Sequence, residues 1–262
     1  MVLVRRAIAL LGVSGVLFLS ACTSDDSVSS LSELSHIHNL VVEGDQVFIG
    51  SHEGLFTEAE QGKYSRVGNT FDVMALASVD GVLLASGHPG EGFELPEPLG
   101  LISSSDLGTT WSTTSLTGDV DFHLLEASGA TVIGVAANYN LLIKSSDSGL
   151  NWVTLDVPGF TDLGIDPNDE NSVWLLTPEG LQRSRDGGSS FTFHPTSVRP
   201  EHMDWSETAL YAATTDAVWL WDSSDEDWAV LKSGLANISA LAAGEDFIAV
   251  LAGKELLKIP LS

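Results

Sequence analysis

Ser104-Ser-Asp106-Leu-Gly108-Thr-Thr-Trp111 is the stretch of sequence that decides the fold, because the chain repeats its pattern twice more. All three stretches share the frame Ser-x-Asp-x-Gly-x-x-aromatic, and the other two copies are Ser145-Ser-Asp147-Ser-Gly149-Leu-Asn-Trp152 and Ser184-Arg-Asp186-Gly-Gly188-Ser-Ser-Phe191. Successive aspartates are 41 and 39 residues apart. A fixed period of about 40 residues indicates a repeat architecture in which each repeat is one supersecondary unit.

The chemistry of this frame suits a tight hairpin. Glycine adopts positive φ without a clash at Cβ, Asp and Ser side chains accept hydrogen bonds from the N–H groups of a turn, and the aromatic residue covers the turn with apolar surface. We therefore interpret the motif residues as structural: Asp106, Gly108, Trp111, Asp147, Gly149, Trp152, Asp186, Gly188 and Phe191. A functional site is expected elsewhere in the fold.

Six copies of a strand pattern surround these motifs. Each copy has two short apolar runs bounded by Gly, Asp or Asn, and weaker versions of the motif lie at residues 57–64 and 222–228. The pattern predicts an all-β chain folded as a β-propeller with six blades of about 40 residues. The sixth copy lacks an outermost strand, so we expect residues 27–35 to supply it and close the ring. A seven-bladed alternative needs a further copy that we do not find in the sequence.

The N-terminal segment predicts export and lipidation. Arg5 and Arg6 precede an apolar stretch of 13 residues, which is too short to span a bilayer and fits a secretory signal peptide. The stretch ends in Leu19-Ser-Ala-Cys22, which resembles a bacterial lipobox, and Cys22 is the only cysteine. We expect a signal peptide over 1–21, lipid on Cys22, a flexible tether over 22–33 and a propeller domain over 34–262. The predicted location is the extracytoplasmic side of the bacterial cell envelope, with the lipid holding the protein to the membrane.

The charge balance argues against nucleic acid as a partner. Without Arg5 and Arg6 the chain keeps nine basic and 36 acidic residues, a formal charge of −27. Such a chain repels nucleic acid and anionic lipid headgroups and attracts cations. A solvated surface that resists aggregation is the alternative explanation of the same charge. We expect the protein to be a monomer.

Histidines concentrate on one face of the predicted propeller. In a blade, the innermost strand starts on the face where the second strand ends. Five of the seven histidines lie at such strand ends in the first three copies, and are therefore expected on the same face: His36, His38, His52, His88 and His123. Imidazoles with carboxylates suit Zn²⁺ or another first-row divalent ion, and histidine also suits acid–base chemistry near neutral pH. The alternative is that each histidine caps a loop by hydrogen bonding.

Aligning the inner strands gives a polar ring at the mouth of the central channel, formed by His36, Asp72, Asp121, Thr161, Glu201 and Asn237. Its three acidic members, Asp72, Asp121 and Glu201, are candidates for catalytic carboxylates, because a glycosidase needs two suitably placed acids. The Pro- and Gly-rich segment 88–100 lies on the same face, as a binding lid or as a variable surface loop.

The motifs together resemble a known family. The Ser-x-Asp frame, with His36-Ile-His38, Ser51-His52-Glu53 and Gly87-His88-Pro89, resembles bacterial secreted Asp-box (BNR repeat) β-propellers, which are labelled sialidase-like or glycosyl-hydrolase-like. The fold also occurs in sortilin-type proteins and photosystem II assembly factors, which are binding proteins. Sialidases of the family bind their substrate with three arginines, but Arg183 and Arg185 belong to a motif hairpin here, which argues against conventional sialidase activity.

These expectations favour a protein that is not an enzyme. We expect a lipid-anchored binding or assembly module for a protein or glycan ligand, with a His-rich site and a divalent metal such as Zn²⁺ at the channel mouth. The alternative is an enzyme that resembles a glycoside hydrolase and acts on a glycan with assistance from a metal.

Overall fold

The predicted six-bladed β-propeller is confirmed. The computed structural model describes residues 27–261, and over this range the chain forms six antiparallel sheets arranged as the blades of a propeller. Apart from β1, the strands of each sheet follow one another in chain order from the inner strand outwards. The described residues contain no helix with the length and hydrophobicity of a membrane span.

The first three blades take up the N-terminal half. Blade 1 contains β1 (Ser27–Val28), β2 (Ile37–Glu43), β3 (Gln46–Ser51), β4 (Gly54–Glu60) and β5 (Lys63–Val67). Blade 2 contains β6 (Phe71–Val79), β7 (Val82–Pro89), β8 (Leu101–Ser104) and β9 (Ser112–Ser115). Blade 3 contains β10 (Phe122–Ser128), β11 (Thr131–Ala136), β12 (Leu141–Ser145) and β13 (Val153–Leu155). A single 3₁₀ turn, Leu31–Glu33, precedes β2.

The other three blades complete the ring. Blade 4 contains β14 (Asp162–Ile165), β15 (Val173–Thr177), β16 (Gly180–Ser184) and β17 (Thr192–His194). Blade 5 contains β18 (His202–Trp205), β19 (Leu210–Ala213), β20 (Ala217–Asp222) and β21 (Asp227–Ser233). Blade 6 contains β22 (Ile238–Ala243), β23 (Phe247–Ala252) and β24 (Glu255–Pro260).

The N-terminal strand does not complete blade 6, so that part of the prediction was wrong. Strand β1 pairs with β5 at the outer edge of blade 1, and blade 6 keeps three strands. The physical reason lies in Leu31 and Leu34, which are buried among apolar residues of both blade 1 and blade 6. Because these leucines fill the junction between the two blades, the strand before them meets the open edge of β5. Packing at this junction therefore closes the ring.

The predicted tether is shorter than expected. The predicted tether includes residues 27–33, but Ser27–Val28 form β1, Leu31–Glu33 form the 3₁₀ turn, and Leu31 belongs to the core. The Ser29 backbone N–H and hydroxyl both donate to Glu33 Oε1, at 3.0 and 2.7 Å. Residues 1–26, with the predicted signal peptide and Cys22, lie outside the described residues.

The three Ser-x-Asp motifs form the hairpins between the third and fourth strands of blades 2, 3 and 4. In blade 3 the Ser145 hydroxyl donates to Asp147 Oδ1 (2.7 Å) and accepts from the Gly149 N–H (2.9 Å). Hydrogen bonds from the side chain and backbone of Asn151 lower the pKa of Asp147 to about 2. The same serine–aspartate pattern recurs in the other two hairpins, so each motif satisfies polar groups of its own turn.

Each motif glycine also contacts the preceding blade. A Cβ atom placed on Gly149 of blade 3 lies 2.2 Å from Leu101 Cδ2 of blade 2. The equivalent neighbour is Leu55 of blade 1 for Gly108, and Leu155 of blade 3 for Gly188. The motif therefore shapes its own hairpin and also sets the contact between adjacent blades.

Three of the carboxylates that line the central channel are confined within it. The channel has a volume of about 850 Å³, and its wall includes Glu126, Asp162 and Asp204. Asp162 Oδ2 accepts a hydrogen bond from the backbone N–H of Met203 in blade 5 (2.9 Å). Asp204 Oδ2 accepts from the backbone N–H of Ala243 in blade 6 (2.8 Å). These two side chains thereby join blades 4, 5 and 6 around the channel.

Confinement in the channel disfavours the charged forms of these acids. Burial raises the pKa of Asp162 to about 7 and that of Asp204 to about 6, against the opposing effect of their backbone hydrogen bonds. Burial, and then the charges of Asp204 and Asp162, also raises the pKa of Glu126 well above its ordinary value. The Glu126 side chain, unlike those of Asp162 and Asp204, forms no hydrogen bond within residues 27–261.

Substitution of Gly149 tests the contact between blades. Gly149 has φ of +84° and no room for a Cβ, so Gly149→Ala is expected to lower the free energy of unfolding by at least about 1–2 kcal/mol from backbone strain alone. Gly159→Ala is the matched control, because nothing lies within 4 Å of its Cβ position. Urea unfolding midpoints measure both variants, and equal midpoints would contradict this account of the motif.

Substitution of Glu126 tests the channel charges. The pKa values of the three acids are raised in the folded state, so these acids stabilise the fold at acidic pH. This contribution is lost as the pH rises from about 4 through 6 and 7. Glu126→Gln removes one of the mutually repelling charges, so we expect a higher free energy of unfolding than in the wild type at pH 8 and little difference at pH 4.5. Urea unfolding at both pH values measures this. A difference that does not change with pH would count against it.

Candidate functional site

β-Bulges place two histidines at the channel. The register between β2 and β3 shifts between Ile37 and Asn39, which leaves His38 as an extra residue. A shift between β10 and β11 does the same for His123. A bulge changes the direction of the side chain that it carries, and His38 and His123 both line the channel.

Three histidines of blade 1 form a compact cluster at this mouth, which we call the blade 1 cluster: His36, His38 and His52. One ring nitrogen from each lies within 4.8 Å of the other two. His38 Nε2 and His52 Nδ1 are 3.3 Å apart. The backbone holds the two strands together here, because the His52 N–H donates to the His36 carbonyl at 3.3 Å.

Asp72 of blade 2 contacts two of the three histidines of the blade 1 cluster. Its Oδ2 lies 2.8 Å from His52 Nδ1, and its Oδ1 lies 3.4 Å from His38 Nε2. That Oδ1 atom is buried and has no hydrogen-bond partner. Two ligand atoms that are each about 2.1 Å from a tetrahedral ion are about 3.4 Å apart. The distances from His38 to His52 and to Asp72 therefore fit the edges of a site for an ion of the size of Zn²⁺.

The electrostatics of the blade 1 cluster favour neutral imidazole at His38. Burial lowers the pKa of His38, and the neighbouring rings of His36, His52 and His123 lower it further, while Asp72 opposes them. Neutral imidazole is the form that binds a metal ion. The effect of His123 on His38 also shows that blades 1 and 3 approach each other at the mouth.

A second group, the blade 2–3 cluster, consists of His88, Asp121 and His123. Asp121 Oδ2 lies 2.9 Å from His123 Nε2, and Asp121 Oδ1 lies 3.8 Å from His88 Nε2. His88 Nδ1 faces Glu97 Oε1 at 3.4 Å. The two clusters are adjacent, because Asp72 and His88 are directly opposite each other in the β6–β7 ladder.

The five predicted histidines therefore lie on one face, in two groups. Asp72 and Asp121, which we considered as catalytic acids, each contact imidazoles. Glu201 is exposed before β18, and no hydrogen bond or ion pair joins it to either cluster in the part of the chain that the structure describes. The rest of the aligned ring, Thr161 and Asn237, belongs to blades 4 and 6.

The segment that connects β7 with β8 is a packed wall beside the site. Phe93 stacks near Phe71 with ring centroids 5.3 Å apart. Leu99 is buried, and its N–H donates to the Gly87 carbonyl at 2.9 Å. Glu97 of this segment is the residue that faces His88.

Several residues near the site were not found from the sequence. Glu53 Oε1 accepts from the backbone N–H and the hydroxyl of Ser35, at 3.1 and 2.6 Å, and so holds the segment that leads into His36. Glu126, Asp162 and Asp204 occupy different positions of the aligned strands, so the alignment did not group them. These three acids line the same channel because the ring of blades closes.

The comparisons with known proteins show the fold. No protein-family model matches the chain, and neither does any curated protein. A gluconolactonase from Xanthomonas campestris is similar in structure, with a TM-score of 0.62 and 13% identity over 83% of this chain and 82% of that one. The GH74 enzyme of Niastella koreensis has a TM-score of 0.56 and 15% identity over 82% of this chain and 40% of that one.

A further similar structure is YCF48 bound to D1 peptide, with a TM-score of 0.50 and 16% identity over 86% of this chain and 76% of that one. The chain spans only 34% of an ancestral GH74 enzyme and 40% of the Niastella koreensis enzyme. At these identities the likeness concerns architecture alone. The structural neighbours are β-propellers that include both glycoside hydrolases and binding or assembly proteins, so the function has to be argued from the site.

Proposed function

We propose that this protein is an extracytoplasmic, lipid-anchored binding module that holds a first-row divalent metal ion, Zn²⁺ in the first instance, at the mouth of its channel. His36, His38, His52 and Asp72 are the proposed ligands. The observation that supports this most strongly is the close approach of these groups, with His38 Nε2 3.3 Å from His52 Nδ1 and 3.4 Å from Asp72 Oδ1.

The ligand set favours a transition metal over Ca²⁺ or Mg²⁺. Imidazole nitrogens suit zinc and its neighbours in the first row, whereas calcium and magnesium prefer sites made of oxygen ligands. The buried Asp72 Oδ1 has no hydrogen-bond partner, and a buried carboxylate oxygen without a partner is costly. A bound cation supplies that partner.

The composition of the set favours binding over catalysis. Catalytic zinc sites keep three protein ligands and leave one position open, whereas sites with four protein ligands hold the ion in a closed shell. Three imidazoles lie within reach of one ion here, and Asp72, which contacts His38 and His52, is the proposed fourth ligand. Asp72 and Asp121 are both engaged with imidazoles, so neither is free to act as a glycosidase acid in the way that the alternative function requires.

The charge and the N-terminus support a role outside the cytoplasm. A formal charge of −25, or −27 without Arg5 and Arg6, raises the local concentration of cations near the surface. Cys22 follows a stretch that resembles a lipobox, and two or more acyl chains on this residue are sufficient for firm attachment. The proposed partner of the metal-loaded mouth is a protein or glycan ligand at the envelope.

The metal proposal predicts binding that depends on the blade 1 cluster. His38→Ala and Asp72→Ala are each expected to weaken Zn²⁺ binding at least about tenfold, because each removes a proposed ligand. His194→Ala is the matched control, since His194 lies on an outer strand. Isothermal titration of metal-free protein measures the affinities. Identical affinities in the wild type and both variants would rule the site out.

The anchoring proposal predicts that the protein leaves the membrane fraction when the lipid is lost. Cys22→Ser removes the acceptor of the lipid, so we expect the protein to move from the membrane fraction of the producing bacterium into the soluble extracytoplasmic fraction. Fractionation and immunoblotting measure this. Retention of the variant in the membrane fraction, in amounts equal to the wild type, would contradict lipid anchoring through Cys22.

A further inference from the structure

Blade 4 has a cavity on its outer strands that shares no residue with the histidine clusters. The volume of the cavity is about 370 Å³, and its wall is formed by Arg183, Arg185, Asp186, Ser190, Thr192 and His194. All six residues belong to the motif hairpin of blade 4 or to the strands β16 and β17 that flank it. The proposed metal site makes no use of this part of the fold.

The pairing of β16 with β17 brings these side chains to one side of the blade. Arg183 is directly opposite Thr192 in this ladder, and opposite residues of an antiparallel pair point to the same side. Arg185 and His194 each follow one of these residues by two positions, so they share that side. On the inner side, Arg183 Cζ lies 4.6 Å from the centroid of the Trp174 ring, which supports the Arg183 side chain.

A comparison of blades 3 and 4 explains why the cavity is open. In blade 3 the residue before the motif serine is Lys144, and its Nζ donates to the Gly187 carbonyl in the hairpin of blade 4 at 3.0 Å. In blade 4 the equivalent residue is Arg183. The next hairpin, in blade 5, has four residues (223–226) instead of the seven of blade 4 (185–191), and it contains no glycine. Among the described residues, no hydrogen bond joins Arg183 to this shorter hairpin.

The two arginines keep hydrogen-bond donors that no carboxylate uses. Arg183 donates to Ser172 Oγ from Nε at 3.2 Å and from Nη2 at 3.0 Å, and its Nη1 group forms no hydrogen bond within residues 27–261. The Arg185 side chain forms no hydrogen bond or ion pair in the same range, although a guanidinium group has five N–H donors. Both side chains can therefore bind an anion from solution.

The two guanidinium groups are close enough to affect each other. Burial lowers the pKa of Arg183, and the charge of Arg185 lowers it further, while Asp166, Asp169 and Glu226 oppose these effects. Arginine does not lose its proton in proteins, so the two groups remain cations that repel each other. An anion that binds both of them relieves this repulsion.

The wall of the cavity has a net charge of +1. Asp186 is the one carboxylate among its six residues, and it accepts from the Ser190 N–H at 2.8 Å and from the Ser190 hydroxyl at 2.6 Å. These bonds, with the Ser184 hydroxyl, lower the pKa of Asp186 to about 2. Two guanidinium groups and one carboxylate leave one positive charge, with histidine counted as neutral. A ligand with a single negative charge balances it.

We propose that this cavity binds a small hydroxylated monocarboxylate, such as a sugar acid, with its carboxylate on Arg183 and Arg185 and its hydroxyl groups on Thr192 and His194. Guanidinium groups bind carboxylates through paired N–H···O bonds. A hydroxyl and an imidazole both donate and accept hydrogen bonds, which suits the hydroxyl groups of the ligand. The formal charge of −25 disfavours ligands with many negative charges. This site does not depend on the proposed function.

Titration of metal-free protein with D-glucuronate tests the site, and D-glucose is the matched neutral sugar. Proton–nitrogen NMR spectra, including the side-chain Nε–H signals of arginine, measure the affinity. We expect saturable binding of glucuronate that shifts the arginine signals, and no shift with glucose. Arg185→Gln is expected to bind glucuronate at least about tenfold more weakly, because it removes charge-assisted hydrogen bonds. Wild-type protein that binds no glucuronate, or binds glucose equally well, overturns the proposal.

Arg199→Gln is the matched control for charge. It removes the same charge from an exposed arginine that is not part of the cavity wall, so we expect it to bind glucuronate as the wild type does. Equal affinities in the wild type and Arg185→Gln overturn the site. An equal loss in Arg185→Gln and Arg199→Gln shows a general effect of charge and overturns it as well.

Two simpler anions and a second variant test the chemistry of the ligand. Acetate has the carboxylate without the hydroxyl groups and is expected to bind more weakly than glucuronate, and sulfate that binds more tightly than glucuronate overturns the assignment to a carboxylate. Thr192→Val covers the case in which Arg185→Gln does not fold. It is expected to weaken the binding of glucuronate and to leave that of acetate unchanged. Unchanged binding of glucuronate overturns the assigned role of the hydroxyl groups.

Discussion

Close packing between neighbouring blades is the constraint on which the rest of this structure depends. The Gly149 hairpin fits against Leu101 with no space for a methyl group, and its serine and aspartate satisfy their polar groups within the turn. Leu31 and Leu34 fill the remaining junction between blades 1 and 6. Because these contacts fix how far each blade is rotated from the next, they also fix which side chains meet at the channel mouth.

Much of the architecture could be predicted from the sequence because its signals are local. The repeated Ser-x-Asp-x-Gly frame predicts a hairpin in each copy, and the spacing of the copies predicts the number of blades. The pairing of β1 could not be predicted in this way, since a two-residue strand carries no signal for one edge over another. Burial of Leu31 and Leu34 decided its position.

The sequence predicts which face of the propeller carries the candidate site, but not how the residues of the site are arranged. Strand polarity predicts that His36, His38 and His52 lie on the same side as His88 and His123. The division into two clusters depends on the bulges at His38 and His123 and on the Asp72–His88 rung, and no residue type marks a bulge in advance. Glu126, Asp162 and Asp204 meet only because the ring closes, so distances along the chain gave no indication of them.

The acidic residues of the chain therefore fall into groups with different chemistry. Those of the motif hairpins are stabilised as anions by hydrogen bonds, and Asp186 has a pKa of about 2 for this reason. The channel acids are pushed towards their neutral forms by burial. At the mouth, Asp72 and Asp121 face imidazoles and retain buried oxygens without hydrogen-bond partners, which is the arrangement that a cation stabilises.

The most direct test of this account is a crystal structure of protein loaded with Zn²⁺, with anomalous diffraction recorded on both sides of the zinc absorption edge. We predict an anomalous peak at the channel mouth, about 2.0–2.2 Å from His38 Nε2 and from an oxygen of Asp72. A map with no peak at the mouth, or with zinc only at exposed carboxylates elsewhere, would contradict the central claim that these histidines form a metal site.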